Sequence, residues 1–523
     1  MLACPGLRRA SPGEAVSIEH VRSAEINGVA LGVPLVLLME NAGRAVADAV
    51  ECRLGGVEGR VVHVLAGKGG NAGDGFVAAR HLARRGARVV VHLSSSPSEV
   101  SHPDARLNLE ALLSLDSVRI VKPWGRGWLD LSGADAVIDA MLGIGVRGAL
   151  RGAIREMAEA FNRSRGLRVA VDTPTGLDPD TGVAVEGAVR ADLTVAMGWA
   201  KRGFFVGEAS LYTGEVLVAE IGLPREAELY AGPGDVLARL PRRPRDAHKG
   251  VGGRVLVVAG GENYVGAAVL AAMAACRSGV DLVYLASEPP TAKTAASQCS
   301  SIIPVPLRGR SLSAQDVPRL VMLAKRAHAT LIGPGIGSED SVLEAAAGLI
   351  GKIAAEMPGH PLVVDADGLK ALELHKPPLP TPTVLTPHRG EARRLAGKDG
   401  SPEELAREIA SSTGATVLVK APVDAACSPR GVCRLNRSGV AAMSVGGTGD
   451  VLAGLLAGYL ARRASKGLDP DPLNVAITAA YVAGRAGELA YGELGEAMTA
   501  LDVLGKVPLV YREAAELARS GQP

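Results

Sequence analysis

The sequence predicts two α/β domains, each a parallel sheet of aliphatic strands covered by helices, and three observations predict it. The chain has 523 residues, more than one hydrophobic core of ordinary size can serve, so two domains of roughly 200–300 residues are the natural division. Hydrophobic residues make up 47% of it but aromatics only 3%. The cores are therefore built from Val, Leu, Ile and Ala, the side chains of buried parallel strands and of the helices on them. Short apolar runs then alternate with helical patterns along both halves, as βαβ units require.

In the first half an apolar run at Val61–Ala66 leads through a glycine-rich turn into a helix from about Phe76 to Arg85, then a strand at Arg88–Leu93. Further strands are expected at Ala134–Asp139, Leu167–Asp172, Asp192–Met197 and Glu215–Glu220. The strand C-terminal ends of an open parallel sheet form its ligand crevice, and Asp139 and Asp172 sit at such ends. The Pro-, Arg- and Gly-rich stretch Gly222–Gly250 lacks periodicity and reads as the boundary, dividing the chain into residues 1–224 and 225–523. Its basic run, Arg239, Arg242, Arg243 and Arg245, reads as solvated linker. The second half restarts with strand Arg254–Ala259, helix Gly266–Arg277 and strand Asp281–Ala286. Strands follow at Thr330–Gly333, Leu362–Asp365, Thr383–Thr386 and Thr416–Lys420, then a hairpin through Ser428–Gly431 and a long helix from Asp450.

With 57 basic and 55 acidic residues the net charge is +2, which provides no long-range field for nucleic acid or an anionic membrane. No apolar stretch matches a signal peptide or a membrane span, so a cytoplasmic protein is expected. Six cysteines lack the spacing of a zinc site and are too sparse for a disulfide scaffold. Cys427 and Cys433 could face each other across the hairpin, but two buried thiols are the expectation.

The sharpest local signal is Gly446-Gly447-Thr448-Gly449-Asp450, opening an apolar helix. Glycines turn successive N–H groups toward one point, and the helix N-terminus adds a favourable dipole, so the segment is a phosphate cradle. Asp450 beside it is suited to take a proton from a hydroxyl. A simple N-cap aspartate does not need three glycines before it. No Lys-Ser/Thr follows, so this is not a P-loop. Thr386-Pro387-His388, Gly333-Pro334-Gly335-Ile336-Gly337 and Lys420 each end a strand, and each alone is also compatible with a turn, a loop or a surface lysine. In the first half three glycine-bearing turns follow strands: Gly67–Gly75, Asp139–Gly148 and Val171–Asp178. Asp172 alone could be turn chemistry, but three such turns at the ends of one sheet should converge on one crevice.

The order of these segments carries a resemblance. Lys249-Gly250, Gly260-Gly261-Glu262-Asn263-Tyr264-Val265-Gly266-Ala267, the Gly333 loop, Asp365-Ala366-Asp367-Gly368, Thr386-Pro387-His388, Lys420, Asn436 and the Gly446 cradle resemble, over most of residues 245–510, the ADP-dependent NAD(P)H-hydrate dehydratases of the ribokinase-like superfamily. The three turns of the first half, with Leu38-Met39-Glu40-Asn41-Ala42-Gly43, resemble over residues 15–225 the Rossmann-like NAD(P)H-hydrate epimerase domain. The resemblance implies repair of hydrated NADH and NADPH: interconversion of the two C6 epimers in the first domain, and ADP-dependent dehydration of one of them in the second. It implies dinucleotide contacts from Gly70, Asn71, Ala72, Gly73 and Asp74, from Gly143, Ile144, Gly145, Val146, Arg147, Gly148 and Ala149, and from Asp172 as acid/base. It implies potassium on Asn71, Asp139 and Thr175, oxygen donors that suit it. In the second domain it implies substrate contacts from Gly337, His388 and catalytic Asp450. ADP, with magnesium, falls to Lys420, Ala421, Pro422, Val423, Asp424, Gly446, Gly447, Thr448 and Gly449. A homo-oligomer is expected. The sequence departs from the family at Gly70 (usually Asn), Ala72 (usually Gly), Ala421-Pro422 (a glycine after the lysine) and Val440-Ala441 (Asn-Pro). The alternative is a small-molecule kinase of the same superfamily carrying a non-catalytic first domain.

Overall fold

A computed structural model describes residues 4–123, 128–143, 148–248, 250–376, 378–380 and 382–521. The chain forms two compact units, Met1–Arg225 with Leu517–Pro523, and Glu226–Glu516.

The strands of the first unit are β1 (Leu7–Arg9), β2 (Val61–Ala66), β3 (Arg88–Leu93), β4 (Val118–Val121), β5 (Ala136–Ala140), β6 (Leu167–Val171), β7 (Leu193–Met197) and β8 (Glu215–Ala219). Among the described residues they make one sheet in the order β1-β8-β7-β6-β5-β2-β3-β4, parallel except for β1. β5, Ala-Val-Ile-Asp-Ala, is buried throughout, as a strand covered on both faces must be. The order reverses between β2 and β5, where the chain leaves in opposite directions after Ala66 and after Ala140 and opens a crevice.

The second unit contains β9 (Arg254–Val258), β10 (Leu282–Ser287), β11 (Ile302–Pro306), β12 (Ala329–Ile332), β13 (Leu362–Val364), β14 (Thr383–Leu385), β15 (Thr416–Val419), β16 (Asp424–Cys427) and β17 (Cys433–Asn436). Their order is β11-β10-β9-β12-β13-β14-β15-β16-β17, with the last two antiparallel. Register aligns Val258 with Ile332, Ile332 with Val364, and Val364 with Leu385. The following loops therefore emerge along one edge, around a second reversal between β9 and β12. No helix among the described residues is long and apolar enough to cross a membrane.

The expected parallel strands of both halves are present, with ends within two residues. β1, β4 and β11 lie outside the expectation. All three are edge strands with one side exposed, and β11 carries Pro304 and Pro306, which only an edge tolerates.

Four corrections follow. The helix expected from Phe76 starts at Gly70 and runs to Arg84, so Gly73 and Gly75 are helical. They serve close packing: a Cβ at Gly73 would lie 2.4 Å from Met39 Sδ, and one at Gly75 2.5 Å from Ala140 Cβ. The helix expected from Asp450 starts at Thr448. Arg239 is buried, not solvated: it ends the short helix Pro233–Arg239 and pairs with Asp471 at 3.2 Å. Cys427 and Cys433 form a disulfide, as do Cys4 and Cys52, 48 residues apart. A hairpin register that sets Cys427 opposite Cys433 brings the first pair together, whereas nothing in spacing announces the second.

Candidate functional site

The crevice of the first unit is built around backbone contact. Gly67 N donates to Ala140 O at 3.1 Å, and a Cβ there would lie 1.8 Å from the Met141 carbonyl oxygen, so only glycine permits β2 and β5 to part this closely. Asp139, fully buried at the end of β5, accepts from Thr175 Oγ1 at 2.7 Å, Thr175 N at 2.8 Å and Met141 N at 3.1 Å. Burial raises its carboxyl to about 6, against these three bonds. Asn71, in the first turn of the helix Gly70–Arg84, lies beside Gly143, and its buried Nδ2 has no partner among the described residues. Asn71, Asp139 and Thr175 are thus brought to the same place. Gly70 faces His102, whose ring carbon Cδ2 would stand 3.5 Å from an added Cβ. Ile144, Gly145, Val146 and Arg147 lie outside the described residues, as does Lys249. Gly148 and Ala149 follow in an exposed turn.

Asp172 directly follows β6 with φ of 60°, a strained conformation for a non-glycine residue that points to a functional constraint. Its Oδ1 accepts from Met197 N at 3.0 Å and pairs with Lys201 Nζ. Lys201 is buried completely. Two further carboxyls feel this pair, and both are half-buried. Burial, then the Asp172 charge, lifts Glu25 to about 7 against Lys201 and Arg22. Burial, Asp172 and Glu25 lift Asp74 well above the carboxylate range.

In the second unit the helix Thr448–Ala464 begins at N-cap Gly447, φ 100°, and no side chain caps it. Its first-turn N–H groups are set for an anion. Asp450 is the third helical residue, not the cap. Burial, then the Asp365 charge, raises its carboxyl to about 6 against Lys420. Lys420 Nζ bonds Asp365 Oδ1 at 2.7 Å, and a Cβ on Gly449 would lie 3.3 Å from that nitrogen. Burial opposes the Lys420 charge, but Asp365 outweighs it and the ammonium is raised. Thr386 Oγ1 donates to the same Asp365 oxygen at 2.8 Å. His388 is exposed and caps the helix Arg389–Ala396, its Nδ1 accepting from Gly390 N and Glu391 N at 3.0 and 3.3 Å. That tautomer leaves Nε2 carrying its proton. Gly337 N donates to Asp367 Oδ2 at 3.1 Å. Asp424 bonds Ala421 N and Asn436 Nδ2, each at 2.9 Å, pinning the turn Ala421-Pro422-Val423 to β17.

Glu25 and Lys201 are additions to the sequence reading. Lys201 had a visible signal, a charge just beyond the apolar β7. Glu25 had none, since the helix Ile18–Ala30 reads as an ordinary amphipathic one. Asp365, known from sequence only by its place in a succession, ties Lys420, Thr386 and Asp450 together.

Two doubly covered sheets, each with polar groups gathered at its topological reversal, define a two-unit α/β protein with a candidate ligand site in each unit. The NAD(P)H-hydrate dehydratase family matches residues 255–509, and the family described as YjeF-related protein N-terminus matches residues 36–203. The bifunctional NAD(P)H-hydrate repair enzyme Nnr of Hyperthermus butylicus is 43% identical over 97% of this chain and 94% of its own length. That of Pyrobaculum aerophilum is 40% identical over 96% and 99%. A solved ADP/ATP-dependent NAD(P)H-hydrate dehydratase from Bacillus subtilis, co-crystallized with ATP and Mg2+, matches at 25% identity over 55% of this chain and 98% of that one, with a TM-score of 0.46. The chain belongs to the family of bifunctional NAD(P)H-hydrate repair enzymes.

Proposed function

We propose that this chain restores hydrated NADH and NADPH, its first unit interconverting the C6 epimers and its second dehydrating the S epimer at the expense of ADP, with AMP and phosphate as products. One observation carries the second activity: Asp450 stands beside an uncapped, glycine-led helix N-terminus, next to the Lys420–Asp365 pair. The hydroxyl on C6 leaves poorly as hydroxide. Asp450 takes its proton while the oxygen accepts the terminal phosphoryl group of ADP. The N–H groups of Gly447 to Gly449 hold that group as its charge spreads, and Lys420 neutralises it. The ring nitrogen's lone pair then expels phosphate, and loss of a proton from C5 restores the double bond. His388, fixed by its capping bonds, and Gly337 orient the dinucleotide. The turn Ala421–Asp424 borders the nucleotide, whose phosphates bring magnesium with them.

In the first unit, residues 70–74 and 143–149 embrace the dinucleotide and Asp172 acts as acid/base. Potassium fits Asp139, Thr175 and Asn71, which offer a buried carboxylate without a basic partner among the described residues, a hydroxyl oxygen and an amide oxygen. When bound, the ion supplies charge compensation for Asp139 and holds the two loops together. A homo-oligomer acting in the cytoplasm completes the reading.

The test is recovery of NADH absorbance from a mixed-epimer hydrate with ADP, ATP or neither. Full recovery with one nucleotide supports both activities and names the donor. Recovery of about half, beyond spontaneous epimerisation, removes the epimerase. No recovery moves a small-molecule kinase to first place.

A further inference from the structure

The residues leading into the helix Ile18–Ala30 are tied to the segment that follows β7 in the first sheet. Val16, just before the helix, pairs as a parallel bridge with Lys201, through Val16 N to Ala200 O at 3.0 Å and Arg202 N to Val16 O at 2.9 Å. Its first turn is fixed by Ile18 N donating to Asp180 Oδ1 at 3.0 Å, and by His20 set edge-on against Trp199, ring centroids 5.3 Å apart. Glu25 follows two turns into a helix anchored to the Lys201 segment. Its half-buried carboxyl has no hydrogen-bond or ion-pair partner among the described residues, yet it shares the field of Asp172, Lys201, Arg22 and Asp74. A half-buried carboxyl left unpartnered in the field of a charged pair calls for an explanation.

The proposed epimerisation supplies one. C6 of the hydrate bears a hydroxyl and is bonded to the ring nitrogen, so it is a hemiaminal carbon. Losing the oxygen would be the dehydration itself. Inversion by way of the C6–N bond takes one proton off the oxygen and puts one onto the nitrogen, a task that two carriers, one at each atom, can share.

We propose that Glu25 is the second carrier, acting together with Asp172. Resting on the epimerase reading above, the step runs as follows. Asp172 takes the hydroxyl proton, and a C6 carbonyl forms. The C6–N bond breaks with its electron pair going to nitrogen, stabilised by conjugation through the ring double bond to the carboxamide, and the Glu25 carboxylic acid protonates that nitrogen. Rotation about C5–C6 turns the other carbonyl face inward. Nitrogen attacks it, Glu25 recovers its proton, and Asp172 returns the first proton to oxygen. The balance closes with no oxidant or other reactant. Asp74, the other elevated carboxyl, belongs to the binding helix Gly70–Arg84. Glu25, near 7, can give and retake a proton at neutral pH.

The experiment follows interconversion of a single purified epimer by the full-length enzyme without nucleotide, across a pH series, in wild type, Glu25→Gln and Glu25→Asp. Dehydration of the S epimer with ADP reports integrity of the second unit. We expect Glu25→Gln to lose about 100-fold or more in epimerisation rate and the inflection near neutral pH, with dehydration retained. Glu25→Asp should recover at least about tenfold of that loss, with a displaced inflection. Wild-type rates in Glu25→Gln, an unchanged inflection, equal impairment of the two variants, or loss of the inflection in Asp74→Asn instead each overturn the proposal. A wild type no faster than buffer has a different signature: it removes the epimerase reading and this inference with it.

Discussion

Asp450 and Asp139 are both raised to about 6, with opposite consequences for measurement. Asp450 as a base works only ionised, so dehydration of the S epimer should be flat above neutrality and fall tenfold per pH unit below about 6. A rate constant across that range would sink the assignment. Asp450→Asn should cost about 100- to 10,000-fold in turnover while ADP still binds, read by single-turnover kinetics beside calorimetry. For Asp139 the quantity is stability. Its folded-state carboxyl lies above the ordinary 3.8, so its contribution is fully present below that value and is lost as pH rises through about 6. A bound cation offsets that loss only when the carboxylate is ionised. Potassium in place of a bulky organic cation should therefore raise the melting temperature above about pH 7 and leave it unchanged below about pH 4. An equal shift at both ends would remove Asp139 from the potassium site.

At the scale of elements, the glycines decide where helices and strands can touch. The helices Leu35–Leu54 and Gly70–Arg84 cross at Gly43 and Gly73, where added Cβ atoms would lie 2.4 Å from Val77 Cβ and 2.4 Å from Met39 Sδ. Gly73→Ala also approaches the Ala105 backbone at 3.1 Å, and should destabilise by about 1–3 kcal/mol through overpacking. Thermal unfolding of the full chain checks this. Gly447→Ala meets a left-handed φ of 100° and Leu270 Cδ1 at 2.4 Å. Strain of about 1–2 kcal/mol at the cradle should weaken ADP binding about tenfold, measured by calorimetry. Undiminished affinity would mean that nucleotide does not use this helix end. Sequence reading took Gly70–Gly75 for a loop because glycine clusters usually are loops. Here tertiary packing overrides that preference, since the helix can only approach Met39 and Ala140 where side chains are missing.

For the whole molecule, each unit carries its own aliphatic cores and its own disulfide. Closing a longer loop removes more unfolded-state entropy. On that model the Cys4–Cys52 link, spanning 48 residues, contributes about 4 kcal/mol. The Cys427–Cys433 link, spanning 6, contributes about 2 kcal/mol. Reduction should accordingly lower the unfolding temperature of the first unit more than that of the second, followed by calorimetry with and without dithiothreitol. Equal shifts would contradict the loop argument.

The positions and parallel character of the central strands were legible without coordinates, because buried β-runs such as Val61–Ala66 and Arg254–Val258 are short, continuous in chain and mostly apolar. So was the cradle at Gly446–Asp450, whose chemistry is local to five consecutive residues. Edge strands such as Ile302–Pro306 were not legible, because half their surface faces solvent and their pattern is weak. Nor was the company each charged group keeps. Lys420 and Asp365, Lys201 and Asp172, Cys4 and Cys52 are separated by 55, 29 and 48 residues. Composition and periodicity determine which segments become strands and helices. Only the packed sheet, by ending its strands at a common edge, decides which carboxylate meets which cation, and the burial that comes with it decides which of them hold a proton.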